Sequence, residues 1–169
     1  MLKDNIITIT LVDKDDNVSG YEEKLLVHQK GLLHRAFSIL IFNKKGEMLI
    51  HQRALSKYHS PGLWTNACCG HPNKGETVLD AAHRRLGEEM GFDSPLHYQF
   101  KFHYQAELEN GLIENEIDHV YFGEYNDTFI VNPNEVEDFK WVVTSQIKEE
   151  TKSTPENFTV WFRKIMIEI

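Results

Sequence analysis

Over residues 97–108 apolar and polar positions alternate without a break. Tyr98, Phe100, Phe102, Tyr104, Ala106 and Leu108 fall on one side, and His97, Gln99, Lys101, His103, Gln105 and Glu107 on the other. A period of two predicts an antiparallel strand with one buried face. Shorter apolar runs at residues 6–12, 36–42, 48–52, 117–125 and 139–143 predict further strands. Asp16-Asn17 ends the first of them, and Asn43-Lys44-Lys45-Gly46 predicts a hairpin between the next two. Two stretches change period. Over residues 76–90, Leu79, Ala82, Leu86 and Met90 form a helical stripe that Gly91 stops. A second helix opens at Thr154-Pro155, with Phe158, Trp161, Phe162, Ile165 and Ile169 on one face. Strands and helices in this order predict an α/β (α+β) fold with a mixed sheet between helices. With no repeat, linker or like-charge block, residues 1–169 read as a single domain.

Composition narrows the class. Hydrophobic residues at 41% and charged residues at 26% exclude collagen, coiled coil and wholesale disorder. The charge is 18 − 26 = −8, which disfavours nucleic acid and anionic membranes as partners. An anion can still bind where basic residues converge locally. No leader, membrane-length apolar run or C-terminal lipidation box is seen, so the expected location is cytoplasmic. Cys68 and Cys69 are neighbours, a spacing that strains a disulfide, and are read as thiols.

Three of the nine histidines stand in suggestive places. His28 and His34 flank a loop entering the strand at 36–42, and His71 sits between Gly70 and Pro72. Glu114 and Glu116 would share one face of an extended segment, where they repel unless something cationic lies between them. Together these make a five-ligand set suited to manganese or zinc. The alternative is a solvated glutamate edge beside unrelated histidines. His51, His59, His83, His97, His103 and His119 are read as surface or satisfied core residues.

From Gly70 the chain reads Gly70, five residues, Glu76, seven residues, then Arg84-Arg85-Leu86-Gly87-Glu88-Glu89-Met90-Gly91-Phe92. This resembles the Nudix box, G-x5-E-x7-R-E-U-x-E-E-x-G-U, in which a loop and helix hold magnesium against a diphosphate. One position departs. Arg85 stands where the hydrolases of that family carry a metal-binding glutamate. Arginine grips a diphosphate but cannot hold magnesium, so the reading is of a diphosphate bound and not cleaved.

With Arg53-Ala54-Leu55-Ser56-Lys57, Thr65-Asn66, Cys69-Gly70-His71-Pro72 and Glu114-Asn115-Glu116, the chain resembles the type 1 isopentenyl-diphosphate isomerases, a branch of the Nudix fold. The resemblance runs from about residue 5 to Trp161. It implies a metal site at His28, His34, His71, Glu114 and Glu116, holding one manganese or zinc ion. It implies a magnesium ion that arrives with substrate, on Glu89 and the backbone of Cys69. It assigns diphosphate contacts to Lys24, Arg53, Lys57 and Arg85, and the catalytic pair to Cys69 and Glu116, assisted by Tyr104. Trp161 would lie over the hydrocarbon. Cys68 would point away from Cys69 and serve packing. The implied reaction moves a double bond through a carbocation-like state. It needs an acid and a base across the olefin and a dry pocket. The competing readings are a Nudix hydrolase of nucleoside or isoprenoid diphosphates, and a non-enzymatic metal- or nucleotide-binding module.

Overall fold

A computed structural model describes residues 6–169. Residues 1–5, on which part of the expectation of a missing leader rests, lie outside the described residues. The order is β1 (Thr8–Val12), β2 (Val18–Glu23), α1 (Lys24–Lys30), β3 (His34–Phe42) and β4 (Glu47–Arg53). Then come β5 (Trp64–Thr65), β6 (Cys68–Gly70), α2 (Val78–Met90), β7 (Leu96–Glu107) and β8 (Ile113–Glu124). β9 (Val136–Val143), α3 (Thr144–Ser153) and α4 (Val160–Glu168) complete it.

β3 organises the sheet. One edge pairs in parallel with β8 over its whole length, from His34 opposite Glu116 to Phe42 opposite Glu124. The other edge is shared by three partners in turn: β1 at His34, β6 at Phe37 to Ile39, and β4 at Phe42. β7 runs antiparallel to β8, and β9 to β4, giving a mixed sheet. Alternate residues of β3 feed separate cores. Phe37, Ile39 and Ile41 pack with Ala81, Ala82, Leu86 and Met90 of α2. Leu40 packs on the other face with Ile147 of α3 and Trp161, Phe162 and Ile165 of α4. The expected mixed sheet between helices is therefore the fold.

Several local expectations change. Helices α1 and α3 were not foreseen. α1 has seven residues, and α3 buries just Ile147 and Thr151, so neither shows a stripe. A bulge between Tyr98 and Phe100 breaks the alternation of β7. It turns Tyr98 toward Tyr121 and leaves it 53% exposed, off the face shared by Phe100, Phe102 and Tyr104. Leu79 is 41% exposed, and Ala81 takes its place in the α2 stripe. Pro155 opens a short 3-10 turn, not the last helix. Phe158 bridges to Trp64, and the Thr159 N–H donates to the Trp64 carbonyl at 3.0 Å. The sheet thus captures two extended residues before α4 begins. Among the described residues no helix is long and apolar enough to cross a membrane.

Gly91 closes α2 in the left-handed region, at φ 75°. A Cβ there would lie 2.1 Å from the Ile130 carbonyl oxygen. Gly91→Ala is therefore expected to lower stability by about 2–3 kcal/mol, combining left-handed strain with a backbone clash. Urea unfolding would read this as a lower midpoint at unchanged slope; an unmoved midpoint would contradict it.

Candidate active site

A cavity of about 440 Å³ is lined by side chains from β3 and from its neighbours β1, β6 and β8, with α1, α2 and α4 closing round it. At its wall sits a cluster of five side chains, three of which line the cavity directly: His28 from α1, His34 from β3, His71 after β6, and Glu114 and Glu116 from β8. One ligand atom from each lies within 4.8 Å of all the others. The parallel pairing that sets His34 opposite Glu116 brings segments 82 residues apart into contact, and the pleat puts Glu114 on the same face. The backbone fixes two tautomers. His28 Nδ1 lies 2.7 Å from the Lys24 carbonyl and His34 Nδ1 2.8 Å from the Leu32 carbonyl. A carbonyl only accepts, so each Nδ1 carries the proton and each Nε2 presents a lone pair inward. Among the described residues, His28 Nε2, His34 Nε2 and Glu114 Oε2 are buried without a hydrogen-bond partner. His28 Nε2 is 3.5 Å from Glu114, and His34 Nε2 and His71 Nε2 are 3.5 and 3.4 Å from Glu116 Oε1. Burial, reinforced by the Glu116 charge, pushes the Glu114 carboxyl up. Burial also opposes the charge on Glu116, but the close Glu114 carboxyl and the imidazoles of His34 and His28 outweigh it and hold that carboxyl well below its ordinary range. Inward lone pairs and paired carboxylates make a donor set that fits a divalent cation.

The acid–base candidates share the cavity wall. Cys69, Tyr104 and Glu116 all line it. Cys68 packs in the core beneath α2 and Cys69 turns the other way, as strand alternation requires. Both are free thiols. Burial, then the Glu89 charge, raises the Cys69 thiol to about 12. Tyr104 pairs directly across β7 and β8 with Glu116, and burial followed by the Glu116 charge pushes its phenol up. Trp161, on the first turn of α4, is buried in the core yet also lines the cavity, so packing and site roles coincide. The Arg53 guanidinium stands 5.3 Å over its ring.

The four predicted cations converge. Lys24 begins α1, Arg53 ends β4, Lys57 lies on the loop that follows, and Arg85 lies on α2; all line the cavity. Burial and then the charges of Lys57, Arg85 and Arg53 push the Lys24 ammonium down. Such self-repulsion is relieved by an anion. Arg85 also contacts Glu88 at 2.7 Å and Glu89 at 2.5 Å. Arg84, by contrast, is tied to Glu76 by two bonds of 2.7 and 2.9 Å and holds the loop onto the helix. Gly70 has no room to change, since a Cβ would meet Phe37 at 2.9 Å and Arg85 at 3.3 Å.

Among the cavity residues that escaped the sequence reading are three ionisable groups that face its charged side chains. Asp118, 1% exposed, accepts from the Ser38 hydroxyl at 2.7 Å and is pushed well up by burial and the Glu116 charge. The alternation Glu114, Glu116, Asp118 was the available signal for it. His59 is buried, stacked 6.2 Å from His28, and brought down to about 3 by burial and then Arg53. Glu135 lies beside Lys57 and Arg85. No local pattern marks either His59 or Glu135.

Residues 32–162 match the family model described as NUDIX domain, the class that the sheet, the helix and the loop around Gly70 define. The same fold is seen in a crystal structure from Deinococcus radiodurans, with TM-score 0.80 and 18% identity, over 95% of this chain and 98% of that one. The MutT protein of Methanosarcina mazei aligns with TM-score 0.66 and 20% identity, over 80% and 91%. Sequence relatives are nearer. An isopentenyl-diphosphate Delta-isomerase 2 of Photorhabdus laumondii is 53% identical over 94% of this chain and 89% of its own length. An isopentenyl-diphosphate Delta-isomerase of Serratia proteamaculans is 52% identical over 95% and 90%. The chain belongs to the isopentenyl-diphosphate Delta-isomerase family within the NUDIX fold.

Proposed function

We propose that the chain interconverts isopentenyl diphosphate and dimethylallyl diphosphate, acting as a single NUDIX-fold unit in the cytoplasm. The observation that carries this reading is one cavity whose wall holds Lys24, Arg53, Lys57 and Arg85 together with the Cys69 thiol and the Glu116 carboxylate. Lys24, Arg53, Lys57 and Arg85 grip the diphosphate, the non-reacting end of the substrate. That binding energy orients the olefin between Cys69 and Glu116. One of the pair delivers a proton to the double bond and the other withdraws one from the carbon that becomes part of the new one. Tyr104, beside Glu116, relays that proton. Trp161 keeps water from the cationic carbon and stabilises it through the ring face, worth about 2 kcal/mol when desolvated.

His28, His34, His71, Glu114 and Glu116 would hold one manganese or zinc ion. Glu89 and the backbone of Cys69 would hold magnesium arriving with the diphosphate. Such cations supply positive charge that orients the carboxylates and tunes the acidity of Glu116.

Incubation with isopentenyl diphosphate and magnesium in heavy water tests the reading. The expected product is dimethylallyl diphosphate carrying deuterium. Abundant phosphate without that product would mark a hydrolase instead. Arg85→Glu reverses a charge in the cluster and is expected to weaken diphosphate binding about tenfold or more. Calorimetry with magnesium pyrophosphate measures it, and unchanged affinity would remove Arg85 from the site.

A further inference from the structure

Glu135 faces the cation cluster from an element that the chemistry above leaves unused. It ends a turn at residues 132–135, just before β9. The Glu135 N–H donates to the Asn132 carbonyl at 3.0 Å and closes that turn. Two further backbone bonds pin it. The Asn132 N–H donates to the Glu89 carbonyl of α2 at 2.9 Å, and the Ala54 N–H donates to the Glu135 carbonyl at 3.0 Å. One turn is thus fastened both to the helix that carries Arg85 and to the segment that leads to Lys57. The side chain repeats the connection. Its Oε1 lies 3.3 Å from Arg85 Nη2, and its Oε2 pairs with Lys57 Nζ. Burial opposes the charge on Glu135, yet Lys57 and Arg85 hold the carboxyl below its ordinary range.

We propose that Glu135 is a positioning residue for diphosphate binding, holding Lys57 and Arg85 in the arrangement the anion meets. The two cations differ in what else restrains them. Arg85 keeps Glu88 and Glu89 on its own helix. Lys57 sits on the loop between β4 and β5, and among the described residues Glu135 is its ion-pair partner. A free lysine must be ordered when the anion binds, which opposes binding. Glu135 orders it beforehand, and draws Arg85 across from its helix toward the same point. A bare charge argument gives the opposite sign, because deleting a carboxylate favours an anion. The pair is partly solvated and screened, so preorganisation is the larger effect.

The inference rests on the isomerase reading for its kinetic arm alone. Glu135→Gln and Glu135→Asp are made in the full chain, with magnesium present. The dissociation constant for inorganic pyrophosphate is measured by calorimetry, and KM and kcat with isopentenyl diphosphate. Glu135→Gln is expected to raise both the pyrophosphate dissociation constant and KM about tenfold, with kcat within about threefold. Glu135→Asp should recover most of the loss. Combining Glu135→Gln with Lys57→Ala should cost less than the product of the two single effects, because Glu135 acts through Lys57. Unchanged or tighter pyrophosphate binding overturns the proposal, as does a fall in kcat at constant KM. Should Glu135→Gln fail to fold, Glu135→Ala takes its place, a rise of about tenfold in the pyrophosphate dissociation constant supporting the proposal and an unchanged constant overturning it. A wild-type chain that binds pyrophosphate in this Glu135-dependent way without isomerising would end the isomerase reading and leave this inference standing.

Discussion

Cys69→Ala is expected to lower turnover about a thousandfold while leaving pyrophosphate affinity within about threefold. Double-bond migration needs a proton given and a proton taken at different carbons, and an alanine can do neither. Cys69 lies on the cavity wall with Glu116 and Tyr104, whereas the basic side chains proposed to grip the anion come from α1, β4, the following loop and α2. The two functions therefore separate. The magnesium contact assigned to position 69 is a backbone one, so it survives the substitution. Cys69→Ser is the sharper companion. It keeps the size and a proton, but an alcohol is a far weaker acid than a thiol, and serine should rescue little. Product formation followed by proton magnetic resonance, beside calorimetry with magnesium pyrophosphate, gives both readouts. Near-normal turnover in Cys69→Ala would place the acid–base pair elsewhere.

Stripping the His–Glu cluster with a strong chelator is expected to abolish turnover and to lower the melting temperature by about 5–10 °C. Three buried polar atoms there, His28 Nε2, His34 Nε2 and Glu114 Oε2, have no hydrogen-bond partner among the described residues. Each would cost about 1–3 kcal/mol if nothing satisfied it. A divalent cation held there would satisfy all three and would offset the repulsion between Glu114 and Glu116. Its binding free energy then adds to folding stability. His34→Ala removes one ligand and should abolish high-affinity metal retention. Metal analysis should find about one equivalent per wild-type chain and almost none in the variant. Readdition of manganese or zinc should restore the stripped wild type but not His34→Ala. A metal-free wild-type chain with full activity and an unshifted melting temperature would refute the assignment.

Much of the fold was legible because its signals are local. The alternation along β7 marked a half-buried strand, and the stripe ending at Gly91 marked α2. The failures are equally physical. Inserting Gln99 as a bulge reverses Tyr98 without altering any residue type, so periodicity alone cannot locate it. α3 is held by its neighbours and not by an apolar face of its own, so its sequence looks like surface. For the site, spacing put Glu114 and Glu116 on one face and offered His28, His34 and His71 as candidates. Whether those five met was left open until β3 paired in parallel with β8.

By itself the sequence determined the chemistry on offer: a thiol, paired carboxylates, histidines, an arginine in place of a box glutamate, and the periods of the main strands and α2. These are properties of residue type and near neighbours along one chain. Tertiary structure alone decided which of them act together. It brought four basic residues from four segments to one cavity, buried Asp118 and His59 in its wall, and set Glu135 between Lys57 and Arg85. The reason is that these contacts depend on strand register and on how helices dock across a sheet. Both are set by the packing of distant apolar faces, which no local pattern of residues records.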